Sequence, residues 1–514
     1  GGVVNTCYNA LDRHVLGGRA DQVALIHDSP LTNSVSKFTY QQMLDEVKTL
    51  AAVIRDFGVS KGDRVTLALG NSIEWPVAAF GVLKCGAILN PVNPALGASE
   101  LGYILGHAEP RVIVTNVDTA PAILSPTLKR PGSATVAAFG EVPGAVSLDG
   151  LMAQSSTASV LVPLEDGDGS TLLYTSGTTG NPKGVLFTHS RTGTSGPDFI
   201  AGMGIQPADT ILAVGPLFHG NAWSAVAIAL QAGCTVAFPR TFRASEFWPL
   251  AHSSGATALF TLGTILAILL AQPPSELERT SKLRVVLGLG SAPIRDQVIA
   301  RFGVEHVLEC FGSTDAGVVT LEPRGVAPRK GSSGPPVPGV KIRICDDAGN
   351  ELPTGSVGEI TVLSPARMAE YFRDPEQTRK ALRDSWFLTG DLGCVDADGW
   401  LYFVDRKRDV IRRGGENISS VLVEKTLREH PSVNEVAVIG VRHPVLGQEV
   451  KAYVVARDPV SADELRAFAA ERLAKFQVPT LWEFRDSLPK TPTQRVEKYK
   501  LREQHEGAAK PLLG

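Results

Sequence analysis

The sequence predicts an α/β protein with a large N-terminal domain and a small C-terminal α+β lid domain. The chain has 514 residues, which is too long for one hydrophobic core, so at least two domains are expected. Helical spacings of apolar residues alternate with short apolar strands in the first half, as in βα units layered around a largely parallel sheet. After residue 320, short strands and turns take over and predict a small β-barrel-like subdomain. We place the N-terminal domain at 1–404, a hinge at 405–410 and the lid at 411–514.

The composition excludes several classes of protein. Hydrophobic residues make up 43% and charged residues 20%, and the formal net charge of -3 favours no nucleic-acid partner. The most apolar segment, 256–271, is shorter than the roughly 20 residues of a membrane span, and the first residues lack a signal-peptide pattern. Six separated cysteines without a Cys-x-x-Cys pair predict buried free thiols in a reducing cytoplasm: Cys7, Cys85, Cys234, Cys310, Cys345 and Cys394.

The first elements follow from apolar periodicity. Apolar residues at helical spacing predict a helix over 40–54, and a turn then leads into a strand over 65–69. A second helix is expected at about 73–85, followed by a strand over 86–90 that two prolines close. This alternation predicts parallel strands joined by helices, and we assign no chemistry to it.

The stretch 174–185, Tyr-Thr-Ser-Gly-Thr-Thr-Gly-Asn-Pro-Lys-Gly-Val, has the composition of a phosphate-binding loop between two strands. Its glycines allow the backbone to approach an anion, its hydroxyls donate hydrogen bonds, and its lysine adds charge. It is not a P-loop, because Pro182 and Gly184 stand where that pattern requires Gly and Ser/Thr. A solvated surface loop is the alternative. The candidate phosphate ligands are Thr175, Ser176, Gly177, Thr178, Thr179, Gly180 and Lys183.

This loop resembles the signature loop of the adenylate-forming superfamily, which includes acyl-CoA synthetases, luciferases and the adenylation domains of peptide synthetases. Further stretches resemble that superfamily in the same order: 83–94, 287–293, 308–317, 386–393 and 405–418. The resemblance covers nearly the whole chain. It implies that the loop holds the β- and γ-phosphates of ATP.

Two stretches resemble the superfamily's nucleotide motifs. In the motif at 308–317 the resemblance implies that Phe311 stacks on adenine, Thr314 approaches the α-phosphate and Asp315 holds Mg²⁺. The superfamily more often has Tyr and Glu in place of Phe311 and Asp315, so metal contact through water is one option here. The residues so assigned to ATP are Gly290, Ser291, Ala292, Pro293, Glu309, Cys310, Phe311, Gly312, Ser313 and Thr314, with Asp391 on the ribose and Arg406 near the ribose and α-phosphate.

The stretch 215–223 follows the phosphate loop and contains His219. Taken alone, a histidine beside Phe218 and Trp223 is more often a packed structural residue than a catalyst. The resemblance implies instead that His219 orients the substrate carboxylate. The acyl-pocket candidates are His219, Asn221, Ala222, Trp223, Gly263 and Gly288, with plain core as the alternative. The small residues Ala222 and Gly263 suggest a roomy apolar pocket.

The C-terminal part departs from the superfamily at one position. The resemblance places the pivot of the lid at Arg408 and a tunnel for the pantetheine of CoA at Gly414 and Gly415. Where the superfamily has a catalytic lysine near the end of the lid, this chain has Arg495, and arginine does not replace an ammonium group freely. Lys498 and Lys490 are the alternative cations.

Together these features predict an ATP-dependent acid–CoA ligase that uses Mg²⁺ and forms an acyl-AMP intermediate. Two rivals stay open at this point. One is a stand-alone adenylation enzyme that loads a carrier protein in trans, and the other is a nucleotide-binding, ligase-like protein with poor turnover because of Arg495. A homodimer is left open, and the identity of the acid is not readable.

Overall fold

The computed structural model describes residues 4–29, 34–155, 162–175, 181–192, 196–414, 416–491, 494 and 496–508. It divides into two compact units, one of Gly1–Lys341 with Val362–Phe387 and one of Ile342–Thr361 with Leu388–Gly514. The second unit therefore starts before the predicted hinge. One reason is that the strand before the hinge is bonded to the helix after it, since Ser419 Oγ donates to Val404 O at 3.0 Å.

The described strands and helices are as follows. The strands are β1 (Val23–Ser29), β2 (Ser34–Thr39), β3 (Arg64–Leu67), β4 (Ile88–Pro91), β5 (Val112–Asn116), β6 (Thr135–Phe139), β7 (Val146–Ser147), β8 (Gly169–Thr175), β9 (Lys183–Thr188), β10 (Thr210–Ala213), β11 (Thr235–Pro239), β12 (Ala258–Leu262), β13 (Val285–Leu289), β14 (His306–Leu308), β15 (Cys310–Ser313), β16 (Gly317–Leu321), β17 (Lys341–Cys345), β18 (Gly358–Leu363), β19 (Glu370–Tyr371), β20 (Leu382–Arg383), β21 (Trp386–Val395), β22 (Leu401–Arg406), β23 (Ile411–Arg413), β24 (Glu416–Ile418), β25 (Val433–His443), β26 (Gly447–Ala456) and β27 (Leu481–Phe484). The α-helices are α1 (Tyr40–Asp56), α2 (Glu74–Lys84), α3 (Ala98–Ala108), α4 (Ala120–Ile123), α5 (Leu148–Gln154), α6 (His189–Thr192), α7 (Gly196–Met203), α8 (Gly220–Ala232), α9 (Phe247–Ser253), α10 (Gly263–Leu270), α11 (Glu276–Thr280), α12 (Arg295–Phe302), α13 (Pro375–Ala381), α14 (Ser420–Arg428), α15 (Ala462–Ala470) and α16 (Lys498–Ala508).

The first unit contains two large sheets. One has the strand order β14-β13-β12-β10-β11-β1-β2 and is parallel except at the β1–β2 pair. The other has the order β19-β9-β8-β4-β3-β5-β6-β7, parallel from β8 to β7 and antiparallel between β8, β9 and β19. The predicted α/β class is confirmed, and the parallel strands form two sheets.

Local sequence accounts for the first helices. Helix α1 begins with a capping box between Thr39 and Gln42 and buries the apolar stripe that contains Met43 and Val47. The apolar segment 256–271 forms β12 followed by α10. No helix of the described ranges is long and apolar enough to cross a membrane.

The cysteines are unpaired in the structure, as predicted, and five are buried. The prediction that all six are buried is wrong for Cys394, which is half-buried. Cys394 lies in β21 and points away from the fully enclosed core because neighbouring strand positions alternate between buried and accessible sides.

Two further sheets have five strands each. The first, formed by residues 341–406, has the order β17-β18-β21-β20 with β22 on β21, and it is the predicted β-rich subdomain. The second has the order β24-β23-β26-β25 with β27 on β26, and helices α14 and α15 pack on its apolar residues. Helix α15 ends at Ala470, and a turn follows.

Candidate active site

The predicted phosphate loop is the tip of a β-hairpin. Strands β8 and β9 pair antiparallel, and Thr175 lies opposite Lys183. Both flanking strands were predicted. Ser176, Gly177, Thr178, Thr179 and Gly180 lie outside the described residues, so their contacts with phosphate stay a prediction.

Lys183 and Asp315 are brought together by a residue that the sequence analysis missed. The Lys183 ammonium lies 4.8 Å from the ring centroid of Tyr371 and donates to Gln377 Oε1 at 3.2 Å. The Tyr371 hydroxyl donates to the Asp315 carboxylate; burial and this carboxylate together raise the pKa of Tyr371. Tyr371 thus links the candidate phosphate cation to the candidate metal ligand. Only the pairing of β19 with β9 creates this contact, so no local pattern signals it.

The second nucleotide motif is also a hairpin, formed by β15 and β16. Its turn carries Thr314 and Asp315, and Ser313 Oγ holds the turn by accepting from Ala316 N at 3.1 Å. Gly312 is required here, because a side chain would meet the carbonyl oxygen of Gly317 at 2.5 Å. Phe311 is buried, which leaves its predicted stacking on adenine untested.

Glu309 holds the adenine-side loop. Its carboxylate accepts from Gly290 N at 2.7 Å and from Ala292 N at 2.8 Å. Burial raises the pKa of Glu309, and these backbone donors oppose that rise. The side chains of Glu309, Cys310 and Ser291 are buried. Glu309 therefore positions the loop, and its own contact with ATP stays a prediction.

Gly263 does not leave room in a pocket, which corrects the suggestion from the sequence. A side chain at this position would overlap the Gly290 carbonyl oxygen, because the start of α10 packs directly on the adenine-side loop. Gly288 is similarly enclosed, since an added Cβ would lie 2.9 Å from Ser291 Cβ. Both glycines serve close packing of the backbone.

We predict that Gly263→Ala displaces the adenine-side loop. Overpacking of this kind costs about 1–3 kcal/mol, so the melting temperature should fall and the KM for ATP should rise. Gly106→Ala is the control, because Gly106 lies in α3 with no atom near an added Cβ, and there alanine should be neutral or slightly stabilising. Thermal unfolding and ATP titration of both variants check this. Equal behaviour of the two variants would contradict it.

His219 lies immediately before α8. Burial lowers its pKa to about 4, so the imidazole is neutral near pH 7. Its Nε2 is buried and has no hydrogen-bond partner among the described residues. Gly220, the next residue, lies against Thr314, since an added Cβ would be 4.0 Å from Thr314 Oγ1. The structure thus brings the start of α8 to the nucleotide motif, and a neutral imidazole nitrogen is left for a ligand.

The remaining acyl-pocket candidates are packed to different degrees. Trp223 is buried against Trp75 and Phe80, with ring centroids 5.3 Å from each, and Ala222 is buried as well. Asn221 is half-buried. These contacts also fit a plain core, so the pocket assignment stays a prediction for these residues.

Asn71 positions the segment that carries His219. Its Oδ1 accepts from Leu217 N at 2.8 Å, and its Nδ2 donates to Gly215 O and to Pro239 O, each at 3.0 Å. The sequence analysis did not single out Asn71, because an asparagine in a turn usually bonds locally. Its partners lie far along the chain.

In the second unit, the ribose and hinge candidates are neighbours. Asp391 and Arg406 lie opposite each other on β21 and β22, with Arg406 Nε 3.7 Å from Asp391 Oδ1. Burial lowers the pKa of Arg408, and the charge of Arg406 adds to this effect. Gly414 has a left-handed backbone with φ 58° and donates from its amide to Leu446 O at 2.8 Å. Gly415 lies outside the described residues.

Lys498 and Lys490, the alternatives to Arg495, are both engaged within the second unit. Lys498 Nζ lies 2.7 Å from Glu424 Oε1 and donates to Ser420 Oγ at 2.7 Å, and both partners are buried. Lys490 Nζ lies 2.7 Å from Glu435 Oε1. Arg495 itself lies outside the described residues. These ion pairs disfavour the catalytic role that we gave Lys498 and indicate a structural one.

We predict that Lys498→Met destabilises the second unit. It leaves the buried Glu424 carboxylate without its ammonium partner, and breaking a buried pair costs roughly 3 kcal/mol or more. Lys490→Met should cost less than about 1 kcal/mol, because both members of that pair are more exposed. Chemical denaturation measures both. A fully stable Lys498→Met variant that has lost only adenylation would restore the catalytic assignment.

Comparison with known proteins agrees with this geometry. A profile of the AMP-binding enzyme family matches residues 12–372, and a profile of the AMP-binding enzyme C-terminal domain matches residues 422–495. A sulfoacetate–CoA ligase of Cupriavidus necator is 34% identical over 470 residues, which cover 90% of this chain and 92% of that protein. A crotonobetaine/carnitine–CoA ligase of Salmonella paratyphi A is 32% identical over 503 residues, covering 94% and 96%. ATP-bound MatB from Rhodopseudomonas palustris superposes with a TM-score of 0.88 at 28% identity, covering 99% of this chain and 100% of that one.

The fold and these likenesses define an adenylate-forming enzyme of the acyl-CoA ligase branch. The chain belongs to the AMP-binding enzyme family.

Proposed function

We propose that the chain joins a carboxylic acid to CoA in two steps at the expense of ATP. The acid's carboxylate oxygen attacks the α-phosphorus of ATP, the bond to pyrophosphate breaks, and acyl-AMP forms. The CoA thiolate then attacks the acyl carbon, and the bond to AMP breaks. The observation that carries the proposal is the linked set Lys183, Tyr371 and Asp315: Tyr371 of β19 joins the lysine of one hairpin to the carboxylate of the other, where a triphosphate needs charge.

The residues of the first unit supply position and charge in the first step. Lys183 binds the β- and γ-phosphates as a point charge, and Thr314 approaches the α-phosphate from the turn between β15 and β16. Neutral His219 orients the carboxylate, because its Nε2 is free to donate one hydrogen bond without adding charge. No covalent intermediate with the protein is needed.

The site also fits a magnesium ion bound with ATP. Mg²⁺ is usually held by one or two carboxylates together with substrate phosphates. The described ranges contain no group of three metal-binding side chains, and Asp315 is a single carboxylate that Tyr371 holds in place. Asp315 would therefore hold the ion jointly with the nucleotide. The ion would supply neutralisation of phosphate charge.

The residues of the second unit act on the nucleotide and on CoA. Asp391 accepts hydrogen bonds from the ribose hydroxyls, Arg406 contacts the ribose and α-phosphate, and Arg408 is the pivot. Gly414 and Gly415 border the pantetheine tunnel, and Arg495 supplies the cation of the first step. Since ATP and CoA both occur in the cytoplasm, we retain that location.

The experiment that tests this function separates it from its rivals. Pure protein is incubated with ATP, Mg²⁺, CoA and a panel of acids that includes sulfoacetate, crotonobetaine, carnitine, malonate and benzoate. Acyl-CoA and AMP in equal amounts support the ligase. Acyl-AMP that only a carrier protein discharges supports an adenylation enzyme, and ATP binding without pyrophosphate release supports a ligase-like protein. Lys380→Met is a matched control for Lys183→Met, because Lys380 is exposed and pairs with Glu376 on the surface.

A further inference from the structure

Two arginines lie side by side in the first unit, and no carboxylate of the described residues pairs with either. Arg191 lies in α6, which follows β9, and Arg367 precedes β19, which pairs antiparallel with β9. Arg191 Nη1 donates to Arg367 O at 3.1 Å, and Arg367 Nη1 donates to Met368 O at 2.9 Å. Sheet register therefore brings together two cations that are far apart in the sequence.

The two guanidinium groups of this pair carry like charges in a half-buried environment, which is electrostatically unfavourable. Both side chains are half-buried, and the part of the chain that the structure describes offers neither of them a salt bridge. Burial lowers the pKa of Arg191; burial and the charge of Arg191 lower that of Arg367. Partly buried cations are normally paired with an acid.

Three other arginines of the same unit follow that rule. Arg295 pairs with Glu322, Arg301 lies 2.7 Å from Glu278, and Arg284 lies 2.5 Å from Asp209. Each of these guanidinium groups has a carboxylate that offsets its desolvation. The Arg191–Arg367 pair differs, because within the described ranges each of its guanidinium groups donates to a backbone carbonyl oxygen and not to a carboxylate.

The pair borders the nucleotide motif, and Arg191 follows the end of β9 that is far from the phosphate cation Lys183. Met368 N, next to Arg367, donates to Asp315 O at 2.8 Å, so the Arg367 loop lies on the turn that carries Asp315. Lys183 stands at the opposite end of β9 from α6, and a six-residue strand is about 17 Å long. The triphosphate assigned to Lys183 therefore leaves Arg191 and Arg367 to another anion.

We propose that Arg191 and Arg367 form a binding site for an oxyanion group of a cosubstrate other than the ATP triphosphate. Planar guanidinium forks match the oxygens of a carboxylate, a sulfonate or a phosphate. Two sources carry this chemistry: a second acidic group on the acid, or a phosphate of CoA. This inference rests on the proposed function for the source of the anion, and on the arginine pair alone for anion binding.

Sulfate is the probe that tests anion binding without any turnover. Sodium sulfate, compared with sodium chloride at equal ionic strength, should raise the melting temperature of the wild-type protein more than that of Arg191→Met or Arg367→Met. Without sulfate, both variants should be as stable as the wild type, since each loses an uncompensated charge. Arg379→Met, which removes a guanidinium from the last turn of α13, should respond to sulfate like the wild type. The same sulfate response in all four proteins would overturn the proposal whether or not the protein is a ligase.

Kinetics then identify the source of the anion. If the acid supplies it, both variants should raise the KM for doubly anionic acids at least about 10-fold in pyrophosphate release without CoA, with little change for singly charged acids. If CoA supplies it, the KM for CoA should rise instead. The difference in KM between the wild type and the variants should then be smaller for dephospho-CoA or pantetheine than for CoA. Unchanged KM values for the acid and for CoA in an active enzyme would also overturn the proposal.

Discussion

Asp315→Ala is expected to lower the rate of acyl-AMP formation by about 10²–10³-fold, the usual effect of removing one charge-stabilising group from a reacting centre. Asp315 is the carboxylate that would hold the ATP-bound magnesium ion, and its variant should require much more Mg²⁺. Pyrophosphate release measured over a range of Mg²⁺ concentrations checks this result. Thermal unfolding should change little, because Asp315 lies in a turn.

Tyr371→Phe provides a graded companion to that variant. It keeps the ring beneath Lys183 and removes only the hydroxyl that donates to Asp315, so the loss should be about 10-fold. Asp463→Asn is the control for removing an acid, because Asp463 is exposed in α15. If Asp315→Ala and Asp463→Asn were equally active at every Mg²⁺ concentration, Asp315 would have no part in the reaction.

Arg495→Ala is expected to separate the two half-reactions. Adenylation should fall about 10²-fold, because the cation that stabilises the charge on the α-phosphorus is lost. The transfer of the acyl group from preformed acyl-AMP to CoA should change by less than about 3-fold, since that step breaks no bond to phosphorus in the triphosphate. Single-turnover assays of each half-reaction measure the two effects.

Lys490→Ala is the matched control for Arg495→Ala, since both replace a cation near the end of the chain. Lys490 is paired with Glu435, so both half-reactions should stay within about 3-fold of the wild type. Equal losses in both half-reactions for Arg495→Ala would assign that residue to folding of the second unit. A larger loss for Lys490→Ala would move the catalytic role to the lysine.

Prediction from the sequence succeeded where the signal is local. The strands on both sides of the phosphate loop and the helix over 40–54 both follow from consecutive residues. It failed for Gly263. The small residue suggested a roomy pocket, but in the structure the Gly290 carbonyl group occupies the space where a side chain would lie. Such a fit depends on the distance between two segments, which periodicity and composition do not contain.

The positioning residues were missed for the same reason. Tyr371, Glu309 and Asn71 each hold a site segment through atoms that are distant in sequence or belong to a neighbouring loop. A tyrosine in an edge strand and an asparagine in a turn have common structural uses, so neither residue stands out in the chain itself. Lys498 is the opposite case. Its place in the sequence suggested a catalytic role, whereas in the structure its ammonium group pairs with the buried Glu424.

The sequence by itself determined the α/β class of this protein and its superfamily, and it alone contains the signal of the unusual Arg495. Backbone freedom, hydroxyl density and charge are properties of consecutive residues, so they can be recognised without knowledge of the folded structure. The tertiary structure alone decided which residues share a site. Strand pairing placed Tyr371 between Lys183 and Asp315, and the same pairing of β9 with β19 set Arg191 beside Arg367, because register joins residues that the chain keeps apart.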